Sequence, residues 1–236
     1  MTISTEDLLN SILESLERID YIKAEDIPNI DLYMDQVTTF IDSRMKSATR
    51  KPNEDKILTK TMINNYAKND LLPPPIKKKY NKDHMLLLIF IYYFKGIISI
   101  NDIQKLLAPL KENFYDQHKD LKLEGVYETI FGMEYEQVSS LKDDVEKKFR
   151  MAEKAFGENE SESADFLQQF SFICLLSFDV YVKKLMIEKM IDSMEETLSK
   201  KDPSKKETVR KETVKKETVR KETVKKEAVK KDRPVK

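Results

Sequence analysis

Glycine, proline, cysteine and histidine are scarce in this 236-residue chain, and tryptophan is absent. The content of 4 Gly and 8 Pro argues against a loop-rich, collagen-like or all-β architecture. The single cysteine, Cys174, cannot form an internal disulfide, and no secretion signal follows Met1, so we expect a cytoplasmic protein. No apolar run reaches the roughly 18 residues of a membrane span, and we expect no membrane partner.

The same scarcity argues against whole classes of enzyme. A zinc site built from histidine and cysteine would need His84, His118 and Cys174 together, because the chain has no others. The four glycines lie too far apart for a phosphate-binding loop. We therefore expect no catalytic residues, no metal and no cofactor, and predict that the protein is not an enzyme.

Charge is balanced overall, with 42 basic and 42 acidic residues, but it is divided into four zones along the chain. Residues 1–49 carry 4 basic and 10 acidic side chains, and residues 50–105 carry 11 and 5. Residues 106–200 carry 12 and 20, and residues 201–236 carry 15 and 7. The net charges are therefore −6, +6, −8 and +8. Two basic blocks in an otherwise acidic protein indicate contact with a polyanion at defined places.

The last basic block is a low-complexity tail built from a five-residue repeat, whose first copy is KETVR at residues 206–210. Five residues turn a helix through about 140°, so the repeated valines spiral around it and form no apolar face. We therefore expect residues 201–236 to be a disordered or transiently helical arm. Two interpretations stay open: a non-specific nucleic-acid arm, and a repeat expansion with no selected role.

Helical spacing of apolar residues predicts α-helices through most of the remaining chain. We expect an N-terminal helix after Thr5, a helix from about Asp31, a short helix after Thr59, an apolar helix over residues 85–94 and a helix after Ser99. Two longer helices should follow, over about residues 134–156 and 162–198. The helix from Asp31 should bury Tyr33, Val37, Phe40 and Ile41.

The last predicted helix carries two apolar groups. Cys174 and the aromatic cluster should be core, although the rings could instead line an effector pocket; the cluster is Phe166, Phe170, Phe172 and Phe178. The C-terminal end has a seam at spacings of four, three and four, formed by Ile187, Ile191, Met194 and Leu198. Such a seam suits an antiparallel helical hairpin or a homodimer.

Residues 59–107 hold the pattern that points to a function. A short helix ending at Lys68 places its apolar and polar side chains on opposite faces, a proline-stiffened turn follows, and residues 76–80 read as a basic hairpin arm with a tyrosine. These are the parts of a winged helix-turn-helix, in which asparagine pairs with adenine and lysine contacts phosphate. The candidate DNA-binding residues are Lys60, Thr61, Asn64, Asn65, Lys68, Lys77, Lys78, Lys79 and Tyr80. The alternatives are a solvated helix face, a charged loop, and tyrosines that pack.

The stretch LTKTMINNYAKNDLLPPPIKKKYNKDHMLLLIFIYYFKGIISINDIQKLL resembles the DNA-binding domain of MerR-type regulators. With IPNIDLYMDQVTTFI upstream, it more closely resembles an uncharacterised bacterial family, domain of unknown function eighteen thirty-six, over about residues 26–107. The resemblance implies a winged helix that binds DNA. It places Asn64 where MerR proteins carry an arginine, and it places Lys78 and Tyr80 on the wing arginine and tyrosine. Asp70 stands where the family pattern has glycine, and the loop over residues 48–58 is longer than a helix-turn-helix turn.

We therefore predict an all-α protein with a small β-wing, in three parts. Residues 1–107 form a MerR-like winged-helix DNA-binding domain with an N-terminal helix, residues 108–200 form a helical dimerisation or sensing region, and residues 201–236 form the basic tail. The expected function is sequence-specific binding of double-stranded DNA by a nucleoid-associated homodimeric transcription regulator. An unknown small-molecule effector is left open. The alternative is a helical protein–protein adaptor that has lost DNA binding, since the acidic flanks would repel phosphate.

Overall fold

The computed structural model describes residues 5–17, 22–46, 49, 57–116, 121–156 and 163–201, and most of these residues are helical. In chain order the elements are α1 (Thr5–Glu17), a 3-10 turn (Ala24–Asp26), β1 (Leu32–Tyr33), α2 (Met34–Met45), α3 (Lys60–Lys68), β2 (Lys79–Tyr80), α4 (Lys82–Lys95), α5 (Ile100–Phe114), α6 (Leu123–Glu136), α7 (Val138–Phe156) and α8 (Ala164–Lys201).

The chain divides into two compact units, Met1–Glu188 and Lys189–Lys236. In the second unit the described residues are 189–201, the end of α8. The rest of the repeat tail, and most of the loop over residues 48–58, lie outside the described residues. The expectations for both segments, and the three-part division of the chain, stay predictions.

Strands β1 and β2 form a two-stranded antiparallel sheet, in which Leu32 lies opposite Tyr80 and Tyr33 lies opposite Lys79. Side chains alternate along a strand, so Leu32 is buried while Tyr33 is 54% exposed. The helix predicted from near Asp31 is present as α2, but it begins at Met34, and the prediction that it buries Tyr33 was wrong.

Helix α2 begins at Met34 because the start of the helix is capped there. The side-chain oxygen of Gln36 accepts a hydrogen bond from the backbone N–H of Tyr33 at 2.9 Å. This N–H group has no carbonyl partner within the helix, so the side chain supplies the missing acceptor. Val37 and Ile41 are buried, as predicted, whereas Phe40 is only half-buried.

Helix α4 is the most deeply buried helix of the described chain, with every residue from 84 to 91 in the core. Its sequence is apolar all round, which is typical of a helix without a solvent face. The prediction that Asn81 caps this helix is confirmed, since its side chain accepts the backbone N–H of His84 at 3.0 Å. Ser99 caps α5 in the same way, accepting from the N–H of Asp102 at 3.1 Å.

Helix α6 was not predicted, and it packs on α4 through aromatic rings. Tyr127 and Phe131 each lie 5.5 Å from Phe90, and the Tyr127 hydroxyl donates to the Ile22 carbonyl at 2.6 Å. The helix predicted over about residues 134–156 is present as α7, which begins at Val138, and Gln137 separates it from α6. The contacts that stabilise α6 come from α4 and from residue 22. The spacing of apolar residues within α6 was therefore a weak indication of this helix.

Helices α1, α7 and α8 share a second core cluster of Leu9, Phe149, Ala152 and Phe172. Ion pairs join the same helices at the surface. Arg150 of α7 donates to both carboxylate oxygens of Glu6 in α1, at 3.0 and 2.7 Å. These bonds keep the pKa of Glu6 below its usual value. Lys148 of α7 also lies 2.7 Å from Asp179 of α8.

Several expectations for α8 were wrong. Of the aromatic cluster, Phe172 is buried, but Phe166, Phe170 and Phe178 are exposed. Cys174 is exposed as well, so it is not a buried small hydrophobe. Helix α7 packs against the side of α8 that carries Phe172. The other three rings lie on other sides of α8 and are therefore not covered by α7.

The predicted seam at the end of α8 is not one continuous exposed face. Ile191 is 3% exposed, Ile187 is half-buried and Met194 is exposed, while the side chain of Leu198 lies outside the described residues. Nowhere in the described ranges does a helix combine the length and the apolar character needed to cross a membrane.

Candidate nucleic-acid interface

Helix α3 begins as predicted, after Thr59. The Thr59 hydroxyl accepts the backbone N–H of Met62 at 3.2 Å, a standard N-cap bond. The two residues before the cap, Ile57 and Leu58, are buried, and the Lys95 ammonium at the end of α4 donates to the Ile57 carbonyl at 2.8 Å. Burial lowers the pKa of Lys95. The start of α3 is thus fixed against α4.

The two predicted faces of α3 are present. Ile63 and Tyr66 are buried, and Met62 and Ala67 are half-buried. Five candidate residues are exposed: Lys60, Thr61, Asn64, Asn65 and Lys68. Asparagine is a weak helix former, so this face gains nothing from helix propensity and presents two amides to solvent.

The C-terminal end of α3 turns at Asp70, the residue that stands where the MerR-type pattern has glycine. Its φ is 56°, a left-handed conformation that favours glycine. The backbone N–H of Leu71 donates to the Tyr66 carbonyl at 2.9 Å and closes the helix end. Lys111 of α5 donates to the Asp70 backbone carbonyl, and its Nζ lies 3.1 Å from the Asp70 carboxylate. The aspartate therefore gains a contact that glycine could not make.

The basic arm is a tight hairpin turn over residues 76–79. Ile76 and Lys79 exchange backbone hydrogen bonds, with N···O distances of 3.1 and 2.9 Å. Between them Lys77 and Lys78 have φ values of 50° and 65°. Positive φ at both central residues is the pattern of a type I′ turn, which usually carries Asn-Gly. Both lysines are exposed. The tip of the turn therefore carries two charged side chains on residues whose backbone conformation is unfavourable.

The 76–79 turn is attached to the core through β2. Lys79 is half-buried, with its ammonium 5.3 Å from the centre of the Tyr33 ring. Tyr80 is 2% exposed and lies edge-on to the buried ring of His84, with 5.3 Å between ring centres. The ring of Tyr80 is therefore not on the exposed surface, which corrects its place among the candidate contact residues and supports the packing alternative.

His84 connects the turn to the rest of the domain, as a structural residue. Its Nδ1 lies 3.1 Å from the backbone nitrogen of Asn81, and its Nε2 lies 3.4 Å from the Pro74 carbonyl oxygen. Burial holds the pKa of His84 below its usual value. Burial also raises the pKa of the neighbouring Tyr115 to about 12, with a further contribution from Asp116.

One acidic residue interrupts the basic surface. Asp35, in the first turn of α2, forms an exposed ion pair with Lys60. Among the described residues, Lys68, Lys77 and Lys78 have no such partner. Sequence reasoning did not identify Asp35, Tyr33 or Lys111 as neighbours of this surface, because each comes from a separate element. Within the described ranges, no group of three or more His, Cys, Asp or Glu side chains could hold a metal.

Residues 22–130, a little under half of the chain, match the family described as Domain of unknown function (DUF1836). This range contains α2 to α5, both strands and about half of α6, so the similarity covers the whole candidate interface. Helices α7 and α8 lie outside it. Comparisons with curated proteins and with solved structures gave no match.

Proposed function

We propose that the chain is a sequence-specific DNA-binding protein, a MerR-like transcriptional regulator with α3 as recognition helix and the 76–79 turn as wing. The observation that supports this most is the division of α3 into two faces. Ile63 and Tyr66 attach the helix to the domain, while five side chains able to bond to nucleic acid stand exposed. Such a regulator would act on the nucleoid of a bacterial cell.

The exposed residues divide by chemistry into two roles. Asn64 and Asn65 carry amides, which can pair with N6 and N7 of adenine in the major groove. The lysines supply charge for phosphate, which positions the protein without reading sequence. Helix α2 contacts both α3 and β2, so one element supports the helix and the wing. Asn64 stands where MerR proteins carry an arginine. Because asparagine pairs with adenine and arginine with guanine, this contact should prefer adenine.

The alternative function is a protein–protein adaptor that no longer binds DNA. The ion pair between Asp35 and Lys60 favours it, because a neutralised lysine attracts phosphate weakly. The pair is largely exposed, however, and exposed pairs are worth only about 0–1 kcal/mol. A phosphate could therefore displace the carboxylate at small cost, and we favour DNA binding.

The test begins by selecting duplexes from a random pool with the full chain, then measuring affinity against salt for the enriched and scrambled duplexes. Asn64→Ala should lose roughly 1–3 kcal/mol on the enriched duplex and much less on the scrambled one. Lys78→Ala should weaken both duplexes alike and lower the salt slope by about one.

Two matched controls lie outside the set of candidate DNA-binding residues. Asn113→Ala removes an exposed amide from α5, and Lys154→Ala removes an exposed ammonium from α7; neither should change affinity. If no duplex is enriched and binding shows no salt dependence, DNA binding is refuted and the adaptor is favoured. If the Asn64 variant keeps the wild-type ratio of specific to scrambled affinity, base reading by this residue is wrong.

A further inference from the structure

The ion pair between Asp35 and Lys60, called the 35–60 pair below, joins the first turns of α2 and α3. Asp35 is the second residue of α2, and Lys60 is the first residue of α3. Both side chains are mostly exposed. Two residues before Asp35, the ring of Tyr33 lies 5.3 Å from the Lys79 ammonium. The pair therefore belongs to the candidate interface and lies at the N-terminal end of α3.

Helix stability does not explain why a lysine begins α3. The first turn of a helix is the positive end of its dipole, where an anion is favourable and a cation is unfavourable. Asp35 follows this preference at the start of α2, whereas Lys60 opposes it at the start of α3. An ion pair between exposed side chains contributes little stability in return. Contact with a ligand is therefore a better explanation for Lys60 than a contribution to folding.

The 35–60 pair differs in charge from the other exposed lysines of the interface. Among the described residues, Lys68, Lys77 and Lys78 have no acidic partner, so each presents a full positive charge. The 35–60 pair has no net charge and adds little to the attraction for phosphate. It presents a donor group and an acceptor group side by side. Two such groups match a ligand that has an acceptor beside a donor, and this match contributes more to specificity than to affinity.

The major-groove edge of a G·C base pair has an acceptor beside a donor. Guanine presents the acceptors N7 and O6, and cytosine presents the N4 amino group as a donor. O6 and N4 are hydrogen-bonded to each other, so they lie about 3 Å apart. Lys60 can donate to guanine while Asp35 accepts from cytosine, and the ion pair stays intact. A T·A pair gives the ammonium one acceptor instead of two and places the thymine methyl group beside it.

We propose that the 35–60 pair reads one G·C base pair, with Lys60 on guanine and Asp35 on cytosine; this inference rests on the DNA-binding function proposed above. In a helix-turn-helix the N-terminal residues of the recognition helix contact base edges, and Lys60 is the first residue of α3. Asn64 lies one helical turn further on, about 6 Å along the axis of α3. Base pairs are stacked about 3.4 Å apart, so the guanine should lie roughly two base pairs from the adenine that Asn64 contacts.

The test selects duplexes from a random pool with the full wild-type chain and with each variant. Affinity is then measured against salt on four duplexes that differ only at the selected G·C pair. Wild type should prefer G·C, and Asp35→Ala should lose roughly 5- to 100-fold of that preference. Because Asp35→Ala frees the charge of Lys60, it should also raise the salt slope by about one on every duplex. Asp35→Ala with Lys60→Ala should lose the same preference but keep the wild-type salt slope, since together they remove no net charge.

A matched control and a charge exchange complete the set of variants, each compared at native helix content by circular dichroism. Lys184 and Glu188 of α8 form an exposed ion pair outside the set of candidate DNA-binding residues. Glu188→Ala, alone or with Lys184→Ala, should change neither the base preference nor the salt slope. Asp35→Lys with Lys60→Asp should reverse the preferred base pair from G·C to C·G, because the acid then belongs to α3.

Two results would overturn the proposal and leave DNA binding intact. One is a selected sequence that Asp35→Ala leaves unchanged at every position, as expected if Lys60 contacts phosphate instead of a base. The other is a charge-exchanged chain that still prefers G·C. If neither wild type nor any variant enriches a duplex, DNA binding itself is refuted, and the reading of a base pair is refuted with it.

Discussion

Replacing the two central lysines of the 76–79 turn by Asn-Gly should make the protein more stable and should weaken its binding to DNA. Lys77 and Lys78 have φ values of 50° and 65°, and a left-handed conformation costs an L-residue roughly 1–2 kcal/mol. Asparagine tolerates this region better than lysine, and glycine adopts it freely. Against this gain, glycine increases the conformational entropy of the unfolded chain, at a cost of about 0.5–1 kcal/mol. We therefore expect Lys77→Asn with Lys78→Gly to raise the free energy of unfolding by about 1–2 kcal/mol.

The assay compares urea unfolding of three chains: wild type, the Asn-Gly variant, and a control with glutamine at both positions. Glutamine removes the same two charges without relieving the backbone, so this control should be no more stable than wild type. Both variants should lower the salt slope of DNA binding by roughly 2, because two phosphate contacts are lost. The strain argument is refuted if Asn-Gly is no more stable than the glutamine control.

Three further predictions concern the rest of the fold. Asp70→Ala should cost about 1–2 kcal/mol by urea unfolding, because alanine keeps the unfavourable positive φ and loses the carboxylate contact with Lys111. Asp70→Gly loses the same contact but relieves the backbone, so it should change stability by less than about 1 kcal/mol; equal losses would contradict this. Burial lowers the pKa of His84, so as the pH falls below 6.5 the unfolded chain binds a proton at this residue before the folded chain does. The free energy of unfolding should therefore decrease as the pH falls below 6.5. His84→Gln should reduce that decrease, as measured by thermal melts over a pH series. Phe149→Ala should cost about 3–5 kcal/mol by leaving a cavity in the core of α1, α7 and α8, while the exposed Met151→Ala should cost little.

Local chemistry was sufficient to predict most of the helix starts. Thr59, Asn81 and Ser99 all cap the helices that were expected after them, since a capping side chain bonds to backbone only two or three residues away. The two faces of α3 were also predictable, because they follow from the helical repeat alone.

The interactions of the candidate site were less predictable, because its neighbours come from distant parts of the chain. Tyr33 lies beside Lys79 only because β1 pairs with β2, and no sequence pattern indicated a two-residue strand before α2. Tyr80 is buried for the same reason, since the ring that lies against it belongs to His84 of α4.

Sequence by itself determined the helical class, the capped helix starts and the polar face of α3, because caps and periodicity act within one or two turns of a helix. Tertiary structure alone decided which apolar residues are covered. Phe172 and Phe170 both satisfy a helical apolar pattern, yet only Phe172 meets the ring of Phe149. Periodicity states that a residue shares a face with others, but burial needs a second surface against that face, and its position depends on the packing of the whole chain.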